Sequence, residues 1–563
     1  MLQFVTLGNR TYCHINYNRK ALMKTELYAL VSNHIYGKYN ERESKTLFSE
    51  LATLIEPSYL KQDKSNNAGL DYPTIQRRLS VINEKQSIRK KKGVYYTPID
   101  LVNFIVSNAV KELYGILTPK NLSNTSLETI DAKDFCFKKT CYDPTCGTGE
   151  FLINVLNLKY DLAENKLSPL TKDKIHKIAK TIYGNDVNPE STLIVKLRIF
   201  LVVLERFGVS AVKGIFKAIS KNYDNYDFIS VKLDIEHDLV LGNPPFVEDS
   251  KYQGDLPEKF GNIYANVLLN SAKLLHKNGA FGFVIPISYI STPRMKKIRN
   301  MLLELMPNQY ILSYADRPDC LFAGVHQKLC IVIARKSDAV SIHTSQYNYW
   351  YSHERPDLFG EVKVIKNDYN YTNFIPKLGN ELDAHIYKSV SVIENNSAAQ
   401  NLKNILSNGS APIYLNMRAT FWMKAFLSKH DSGEYKKYGC QTTDEASLAF
   451  CILNSSLFWW HWVCVSDCWH ITNKELDNFK VPSNLTKMDY ARCAELTKSL
   501  ESKLEKTKKF VGTKQTTHEY KHKLCLDEIH DIDDFINSLY NLTEKESEYI
   551  KSFAYKYRIG EGK

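Results

Sequence analysis

The amino-acid sequence predicts an α/β protein built on a doubly wound, mostly parallel sheet of seven strands. From Gly93 to about Lys336, short apolar runs alternate with longer segments of helical pattern. This alternation is typical of parallel sheets covered by helices. Several runs end at an acidic residue or a glycine-rich turn, and ligands bind at the carboxyl edge of such sheets. The predicted strands are Thr140–Asp143, Ile182–Asp186, Phe228–Leu233, Leu239–Gly242, Phe281–Pro286, Tyr310–Tyr314 and Leu329–Ala334.

Changes of pattern along the chain predict four regions. Residues 1–90 form an N-terminal helical region, and residues 91–338 form the α/β domain. Residues 339–485 form a mixed α/β region, which begins with a stretch rich in Tyr, Asn and His. Residues 486–563 form a C-terminal helical region.

The two helical regions are predicted from spacing and composition. Lys20 to Ile35 and Thr74 to Lys92 are the N-terminal helices, separated by a polar, turn-rich linker. In the C-terminal region Leu496, Leu500 and Leu504 recur at helical spacing within a Lys-rich face, which predicts an amphipathic helix. Its lysines could contact phosphates, and a solvated helix face is the alternative.

Charge and cysteine usage bound the class of protein. The 563 residues carry 74 Lys+Arg against 62 Asp+Glu, a net charge of +12, which suits a polyanionic partner without proving one. The 12 cysteines follow no framework spacing, so we expect free thiols in a reducing cytoplasm.

Ala446 to Ser466 lacks charged residues and is long enough to span a bilayer. Polar residues interrupt it, so a buried core helix is expected, and no membrane association.

The tetrapeptide Asn243, Pro244, Pro245 and Phe246 ends the apolar run Asp238–Gly242. Two consecutive prolines stop a strand, and each holds its preceding residue extended. The result is a stiff turn at the carboxyl end of a strand, with an amide at its start and an aromatic ring at its end. An amide oxygen, free carbonyls and a flat ring suit the binding of a planar, amino-bearing base.

A glycine loop, Asp143 to Phe151, follows the first predicted strand and opens a helix. Gly147 and Gly149 let the backbone pass close to a ligand, and Asp143 can accept hydrogen bonds from ammonium or hydroxyl groups. No Gly-Lys-Ser/Thr follows, so the loop is not a P-loop. The dinucleotide pattern fails at Leu152.

Two further strand tips carry aspartates. Asp186 follows the second strand, where an acidic residue usually binds two ribose hydroxyls. Asp227 lies at the third strand region and could accept from an adenine amino group. The alternative is that these aspartates are helix caps and turn residues. Because three successive strand ends each carry an aspartate, the pattern favours one nucleoside-like cofactor that lies across the edge of the sheet.

These motifs resemble the gamma class of adenine-specific DNA methyltransferases, in particular the methyltransferase and specificity portion of type II restriction–modification enzymes. The tetrapeptide Asn243–Phe246 matches the family's Asn/Asp-Pro-Pro-Tyr/Phe, and Asp143–Phe151 matches its cofactor loop. Gly93–Pro98 matches Gly-x-Tyr-Tyr-Thr-Pro and precedes the glycine loop, the order that defines the class. The match is dense over about residues 90–340 and looser after them.

The resemblance implies a Rossmann-like fold for residues 91–338, which would bind S-adenosylmethionine, and a target-recognition domain at 339–485. Thr97 would lie near the methionine end, Asp186 at the ribose and Asp227 at the adenine, with Asp234 an alternative to Asp227. Val187 or Phe228 would flank the adenine. The implied cofactor-binding residues are Tyr96, Thr97, Asp143, Cys146, Gly147, Gly149, Asp186, Val187, Asp227 and Phe228.

The same resemblance implies a catalytic role for the tetrapeptide. A target adenine would be flipped out of the duplex, because its amino group is unreachable inside the stack. The Asn243 side-chain oxygen and the Pro244 carbonyl would each accept one amino hydrogen, which concentrates the nitrogen lone pair on the methyl donor. Phe246 would stack on one face of the base and Phe322 on the other. No metal and no covalent nucleophile is expected, and Cys464, Cys468 and His470 fit no standard zinc spacing.

The expected partner is double-stranded DNA, with basic residues setting the register on phosphates. Residues 1–90 contain no convincing nuclease site, so a bacterial or phage methyltransferase without its own endonuclease is expected. A separate restriction endonuclease or defence-complex subunit is left open as a partner. The alternatives are an RNA or protein-glutamine methyltransferase and a DNA-binding subunit that needs a partner. The predicted phosphate contacts are Lys296, Lys297, Arg299 and Arg418.

Overall fold

The computed structural model describes residues 14–55, 71–82, 97–231, 235–369, 373–392, 400–407, 409–430, 432–513 and 517–560. The chain divides into two compact units. The first comprises Met1–Ile116 with Thr125–Phe283, and the second comprises Leu117–Asn124 with Val284–Lys563. The four regions predicted from the sequence stay a prediction.

The first unit begins with helices and continues with alternating strands and helices. Its elements are α1 (His14–Lys38), α2 (Glu41–Leu51), α3 (Tyr72–Val81), α4 (Ile99–Leu113), α5 (Ala132–Phe137), β1 (Cys141–Asp143), α6 (Glu150–Leu167), α7 (Lys172–Ala179), β2 (Ile182–Asn185), α8 (Pro189–Phe207), α9 (Val209–Val212), α10 (Ile215–Ala218), β3 (Tyr223–Asp224), β4 (His237–Gly242), α11 (Tyr264–Lys273) and β5 (Leu275–Pro286). The predicted helix beyond residue 82 lies outside the described residues.

The strands of this unit are parallel and lie in the order β3-β2-β1-β4-β5. Tyr142 of β1 pairs with Tyr183 on one side and with Val240 on the other. Because the strands are parallel, their carboxyl ends meet at one edge of the sheet. The glycine loop, Asp186 and the tetrapeptide all start at this edge.

The predicted third strand, Phe228–Leu233, is wrong. Residues 228–230 form a turn, and the strand at this place is β3, only two residues long. Phe228 is nevertheless buried against the ring of Tyr142, at 6.0 Å between centroids, so its apolar character reflects core packing outside the ladder.

Local sequence explains why the helices beside the edge begin where they do. Asn188 caps α8 by accepting from the Glu190 N–H, and Pro189 occupies the first turn, where its missing N–H costs nothing. Gly149 precedes α6 with a φ of +91°, in the left-handed region that glycine adopts without strain. Both helices therefore start directly beyond the loops that carry the predicted site.

The second unit is mixed α/β. Its elements are α12 (Ser288–Ser291), α13 (Lys296–Leu305), β6 (Asn308–Tyr314), β7 (Leu329–Arg335), β8 (Ser341–Asn348), β9 (Val364–Lys366), α14 (Glu381–Ser391), β10 (Gln400–Asn401), α15 (Leu402–Ile405), β11 (Ala411–Asn416), β12 (Ala425–Phe426), β13 (Tyr435–Cys440), α16 (Thr443–Asn454), α17 (Ser456–Val465), α18 (Asn473–Asn478), β14 (Lys480–Val481), α19 (Lys487–Thr507), β15 (Lys509–Phe510), β16 (His518–Glu519), α20 (Leu526–Leu539), α21 (Glu544–Ser552) and α22 (Tyr555–Ile559).

Four neighbouring strands of the second unit have the order β7-β6-β8-β9, in which only the β6–β8 pair is parallel. Strands β12-β11-β13 form a three-stranded antiparallel sheet. Helix α19 confirms the predicted amphipathic helix, because Leu496, Leu500 and Leu504 are buried along one face.

The apolar stretch Ala446–Ser466 is buried, but it forms two helices where one was predicted. Ser455 ends α16 and caps α17 by accepting from the Phe458 N–H. Across the described ranges, no single helix has the length and apolar character to cross a membrane; only α16 and α17 taken together pass such a test, with a 64° bend between them.

One predicted phosphate contact is wrong. Arg299 is fully buried, and its guanidinium donates to the carbonyls of Tyr289, Thr292 and Asn373 at 2.6, 2.9 and 2.6 Å. A cation held by three main-chain carbonyls in the interior stabilises the fold and cannot reach a phosphate. Lys296, Lys297 and Arg418 are exposed.

Candidate active site

The tetrapeptide lies directly beyond β4, and its asparagine is held by a second predicted residue. Asn243 Nδ2 donates to Thr97 Oγ1 at 3.2 Å, at the start of α4. Asn243 Oδ1 is buried and has no hydrogen-bond partner among the described residues. Such an atom carries a desolvation cost that a donor from a ligand would remove. Tyr96, also predicted here, lies outside the described residues.

The ring that ends the tetrapeptide is fixed at one edge. Phe246 is half-buried and meets the fully buried ring of Tyr264 at 6.4 Å and 86°, an edge-to-face contact. Pro244 is buried, which holds its carbonyl in a rigid backbone. The part of Phe246 that remains exposed is available to stack on a planar ligand.

Two backbone N–H groups tie the glycine loop to the second strand and to the aspartate that follows it. Cys146 N–H donates to the Asn185 carbonyl at 2.9 Å, and Gly147 N–H donates to Asp186 Oδ2 at 2.9 Å. Gly147 has a φ of +52°, and a Cβ built there would meet nothing within 4 Å. The loop therefore leaves open space above Gly147 for a ligand.

Helix α8 fixes the far side of the loop. Arg198 donates to the Thr148 carbonyl at 2.8 Å and pairs with Glu150 at 2.5 Å, with both side chains nearly buried. A Cβ on Gly149 would lie 2.9 Å from Val195 Cγ2, so only glycine lets α8 approach this closely. Thr148 also donates to the Ser80 carbonyl of α3 at 2.8 Å.

The electrostatics of the edge favour a cationic ligand. Burial raises the pKa of the Asp143 carboxyl well above its usual value, and the charge of Asp186 adds to the rise. Burial likewise raises the pKa of the Cys146 thiol, with Asp186 and Asp143 contributing. A positively charged ligand beside Asp143 and Asp186 would favour the charged form of each carboxyl and so lower its pKa. A thiol held neutral is a poor nucleophile.

The second strand tip presents an acid and an exposed apolar side chain. Asp186 accepts from the Gly147 and Asn188 N–H groups, the latter at 2.8 Å. Val187 is 70% exposed, which is unusual for a large aliphatic residue. Thr145 Oγ1 and Glu190 Oε1 are buried polar atoms that, within the described ranges, also have no hydrogen-bond partner.

The third tip is organised by a tyrosine that sequence reasoning missed. Asp227 accepts a hydrogen bond from the Tyr252 hydroxyl and another from the Ile229 N–H at 3.1 Å. Partial burial and Asp227 raise the pKa of Tyr252 to about 12. Tyr252 follows the tetrapeptide in an irregular segment, where no periodicity could have indicated its contact.

Asn185 is a second residue that sequence reasoning missed. Its side-chain amide donates to the carbonyls of Pro144 and Tyr226, each at 3.0 Å, and accepts from the Tyr226 N–H at 3.0 Å. It thus joins the glycine loop to the third strand tip. The only signal in the sequence is an amide inside a buried strand, next to Asp186.

Phe322 lies in the second unit, where its side chain is 3% exposed. Its carbonyl accepts from the Val325 N–H at 2.9 Å, which closes a tight turn. Its stacking role stays a prediction.

The edge fits the S-adenosylmethionine that the sequence resemblance implies. The buried Asp143 carboxyl, with its raised pKa, lies in the loop that leaves space above Gly147, and Asn243 Oδ1 and Thr145 Oγ1 lack hydrogen-bond partners among the described residues. Over the ranges that the structure describes, no group of His, Cys, Asp and Glu side chains could hold a metal ion.

Part of the chain matches a known protein family. Residues 180–320 match the family model described as Eco57I restriction-modification methylase. The chain carries a restriction-modification methylase domain. The matched segment of this methylase domain includes Asp186, Asp227 and the tetrapeptide, while the glycine loop precedes it.

Two curated relatives of the methylase domain are type II methyltransferases. M.BstVI of Geobacillus stearothermophilus is 24% identical over 244 residues, which cover 41% of this chain and 39% of that protein. M.VspI of Vibrio sp. (strain 343) is 23% identical over 267 residues, which cover 45% of this chain and 50% of that protein. The chain therefore spans half or less of the length of these relatives.

A solved structure resembles the chain over nearly its whole length. The type IIL restriction–modification enzyme MmeI, solved in complex with DNA, superposes with a TM-score of 0.54 at 13% identity, covering 97% of this chain and 96% of that one. At this identity the likeness concerns the fold alone. The fold is a Rossmann-like α/β fold, as the sequence predicted.

Proposed function

We propose that this protein is a site-specific DNA methyltransferase that transfers a methyl group to the exocyclic amino group of adenine. The observation that carries the proposal is the Asn243 amide, whose nitrogen donates to Thr97 while its buried oxygen has no hydrogen-bond partner in the described part of the chain. An amino group is the donor that such an acceptor needs. The type II methyltransferase relatives support the DNA methyltransferase part of the proposal.

Asn243 would activate the amino nitrogen by hydrogen bonding. The lone pair of an aromatic amine is conjugated into its ring, which makes the nitrogen a weak nucleophile. Asn243 Oδ1 and the Pro244 carbonyl, both held by rigid neighbours, would each accept one amino hydrogen and favour a tetrahedral nitrogen. Preorganised acceptors of this kind need no rearrangement during the reaction. Phe246 would hold the base by stacking.

The glycine loop and the strand tips would hold the cofactor. When bound, S-adenosylmethionine supplies a methyl group activated by its sulfonium. Thr97, Asp143, Cys146, Gly147 and Gly149 would surround its methionine part. The ribose and adenine would lie at the residues of the next two tips, Asp186, Val187, Asp227 and Phe228.

Duplex DNA is the proposed substrate, and the target adenine would leave the stack before transfer. Residues 339–485 would read the sequence, and exposed cations such as Lys296 and Arg418 would contact phosphates. A cytoplasmic, nucleoid-associated location and a separate restriction endonuclease belong to the same proposal.

Tritiated S-adenosylmethionine tests the proposal when the purified protein is incubated with bacterial DNA that lacks adenine methylation. We expect label in DNA, located in N6-methyladenine by nucleoside mass spectrometry and at a fixed sequence by modification-sensitive sequencing. Parallel incubations with RNA and with protein extract cover the alternative substrates. Label confined to RNA or to protein glutamine would overturn the proposal, and so would label on cytosine.

A further inference from the structure

Two segments of the second unit meet at one glutamate. Glu354 ends a short 3-10 turn, Ser352–Glu354, and its carboxylate accepts from the Tyr351 N–H at 2.8 Å. The C-terminal helix α22 supplies two more partners, the Lys556 ammonium and the Tyr557 hydroxyl, the latter at 2.9 Å. The Tyr351 hydroxyl donates in return to the Lys556 carbonyl at 3.1 Å.

An isolated surface ion pair contributes little, but these contacts form a network. Burial alone would raise the pKa of Glu354, yet the hydrogen bonds from Lys556, Tyr351 and Tyr557 outweigh it and lower that pKa. The Tyr351 and Tyr557 rings also lie 5.2 Å apart. The turn and α22 are therefore held together by four residues: Tyr351, Glu354, Lys556 and Tyr557.

The neighbours of Glu354 reach directly into the loop that carries Phe322. Ser352 Oγ donates to Asp319 Oδ2 at 2.9 Å, and Arg355 Nη1 donates to the Leu321 carbonyl at 3.2 Å. Within that loop the Phe322 carbonyl accepts from the Cys320 thiol at 3.1 Å and from the Val325 N–H. The position of Phe322 thus depends on where the turn is held.

Arg558, the residue after Tyr557 in α22, is anchored in the region, 339–485, that the sequence resemblance implies to be the target-recognition domain. The Arg558 guanidinium lies between the rings of Trp422 and Trp459, at 4.2 and 4.4 Å from their centroids. It donates to the Phe421 carbonyl at 3.2 Å and to Ser456 Oγ at 3.1 Å. A cation enclosed by two indoles fixes the helix firmly.

We propose that Glu354 is a positioning residue: together with Lys556 and Tyr557 it ties the Phe322 loop to the C-terminal helix and thereby to the specificity region. The inference rests on the proposed function together with the sequence resemblance, which implies that Phe322 covers one face of the target base. Contacts between α22 and the turn would fix the position of the Phe322 loop. That position would determine how firmly the target base is bound.

Hydrogen exchange tests the positioning claim without any need for activity. In Glu354→Ala we expect amides of residues 319–325 to exchange about fivefold faster or more, since the tie that holds the turn is lost. Tyr557→Phe, which removes one hydroxyl, should raise exchange in the same segment to a smaller extent. The control Lys551→Ala on α21 removes a comparable ion pair with Asp534 of α20, and should leave the segment unchanged. Unchanged exchange in Glu354→Ala, or a rise over the whole unit, would overturn the claim.

Kinetics then test whether the tie acts through Phe322. With the methylated sequence mapped as above, Glu354→Ala should lower the rate of methyl transfer about tenfold and leave the affinity for S-adenosylmethionine within about twofold. Combined with Phe322→Leu it should cause no loss beyond that of Phe322→Leu alone, because the two changes affect one function. Additive losses would contradict action through Phe322. A wild-type protein that labels no DNA would refute the proposed function, while the exchange result would still decide the positioning.

Discussion

The side-chain nitrogen of Asn243 donates to the Thr97 hydroxyl at 3.2 Å, although 146 positions separate the two residues in the sequence. This bond orients the amide, and Oδ1 stays without a hydrogen-bond partner among the residues that the structure describes. The start of α4 and the end of β4 are thereby joined at the point where the chemistry is proposed.

Thr97→Val should weaken catalysis by freeing the Asn243 amide. The substitution keeps the shape of the side chain and removes its acceptor, so the amide loses its fixed orientation. We expect the rate of methyl transfer to fall about tenfold. Thr97→Ser keeps the hydroxyl and should retain most of the rate. Equal rates in Thr97→Val and the wild-type protein would show that the bond does not orient Asn243.

Asn185→Ala should reduce stability and cofactor affinity together. It leaves the buried carbonyl of Pro144 and the partly buried carbonyl of Tyr226 without the amide that now binds them. We expect a loss of about 2–4 kcal/mol in the free energy of unfolding, measured by urea denaturation. Titration with S-adenosylmethionine should show weaker binding. Normal stability in this variant would mean that the loop and the third tip are held by other contacts.

Gly149→Ala should be destabilising for two reasons. Its φ is +91°, and the new Cβ would lie 2.9 Å from Val195 Cγ2. Strain and overpacking together predict a loss of about 2–4 kcal/mol, seen as a lower thermal midpoint. The control Gly433→Ala places a Cβ in open space and should change the midpoint little. Similar midpoints in the two variants would refute the close packing of α8 on the loop.

Acidification should destabilise the second unit through His461. This fully buried ring lies 3.0 Å from Asn478 Oδ1, and burial lowers its pKa from 6.5 to about 4. Between these values the unfolded chain binds a proton that the folded protein does not, so stability present above pH 6.5 falls as the pH falls. The slope is about 1.4 kcal/mol per pH unit for one such group. His461→Gln does not titrate and should show a shallower decline of stability between pH 7 and pH 5; parallel curves would contradict the assignment.

The sequence predicted the parallel sheet edge well because long apolar runs specify β4 to β7 and because aspartates mark the strand ends. It failed at β3, where two residues carry no periodic signal. It also failed for Arg299, since a charged side chain indicates a surface position until the three carbonyls around it are known.

The site itself was predicted only in part. Motifs indicated Asp143, Asp186 and Asn243, since each follows a strand. The roles of Asn185 and Tyr252 depend on contacts between segments distant in sequence, which no local pattern reports.

The two strands β8 and β9 were not predicted either, because their polar, aromatic sequence does not alternate regularly between apolar and polar residues.

In the proposed function, the side-chain oxygen of Asn243 activates an adenine amino group in DNA. The most direct test of this claim is single-turnover methyl transfer to a duplex containing the mapped adenine, compared between the wild-type protein and Asn243→Ala. We predict N6-methyladenine from the wild-type protein and a rate at least about 100-fold lower in the variant, with S-adenosylmethionine affinity within about threefold. Transfer at the wild-type rate by Asn243→Ala would contradict the claim.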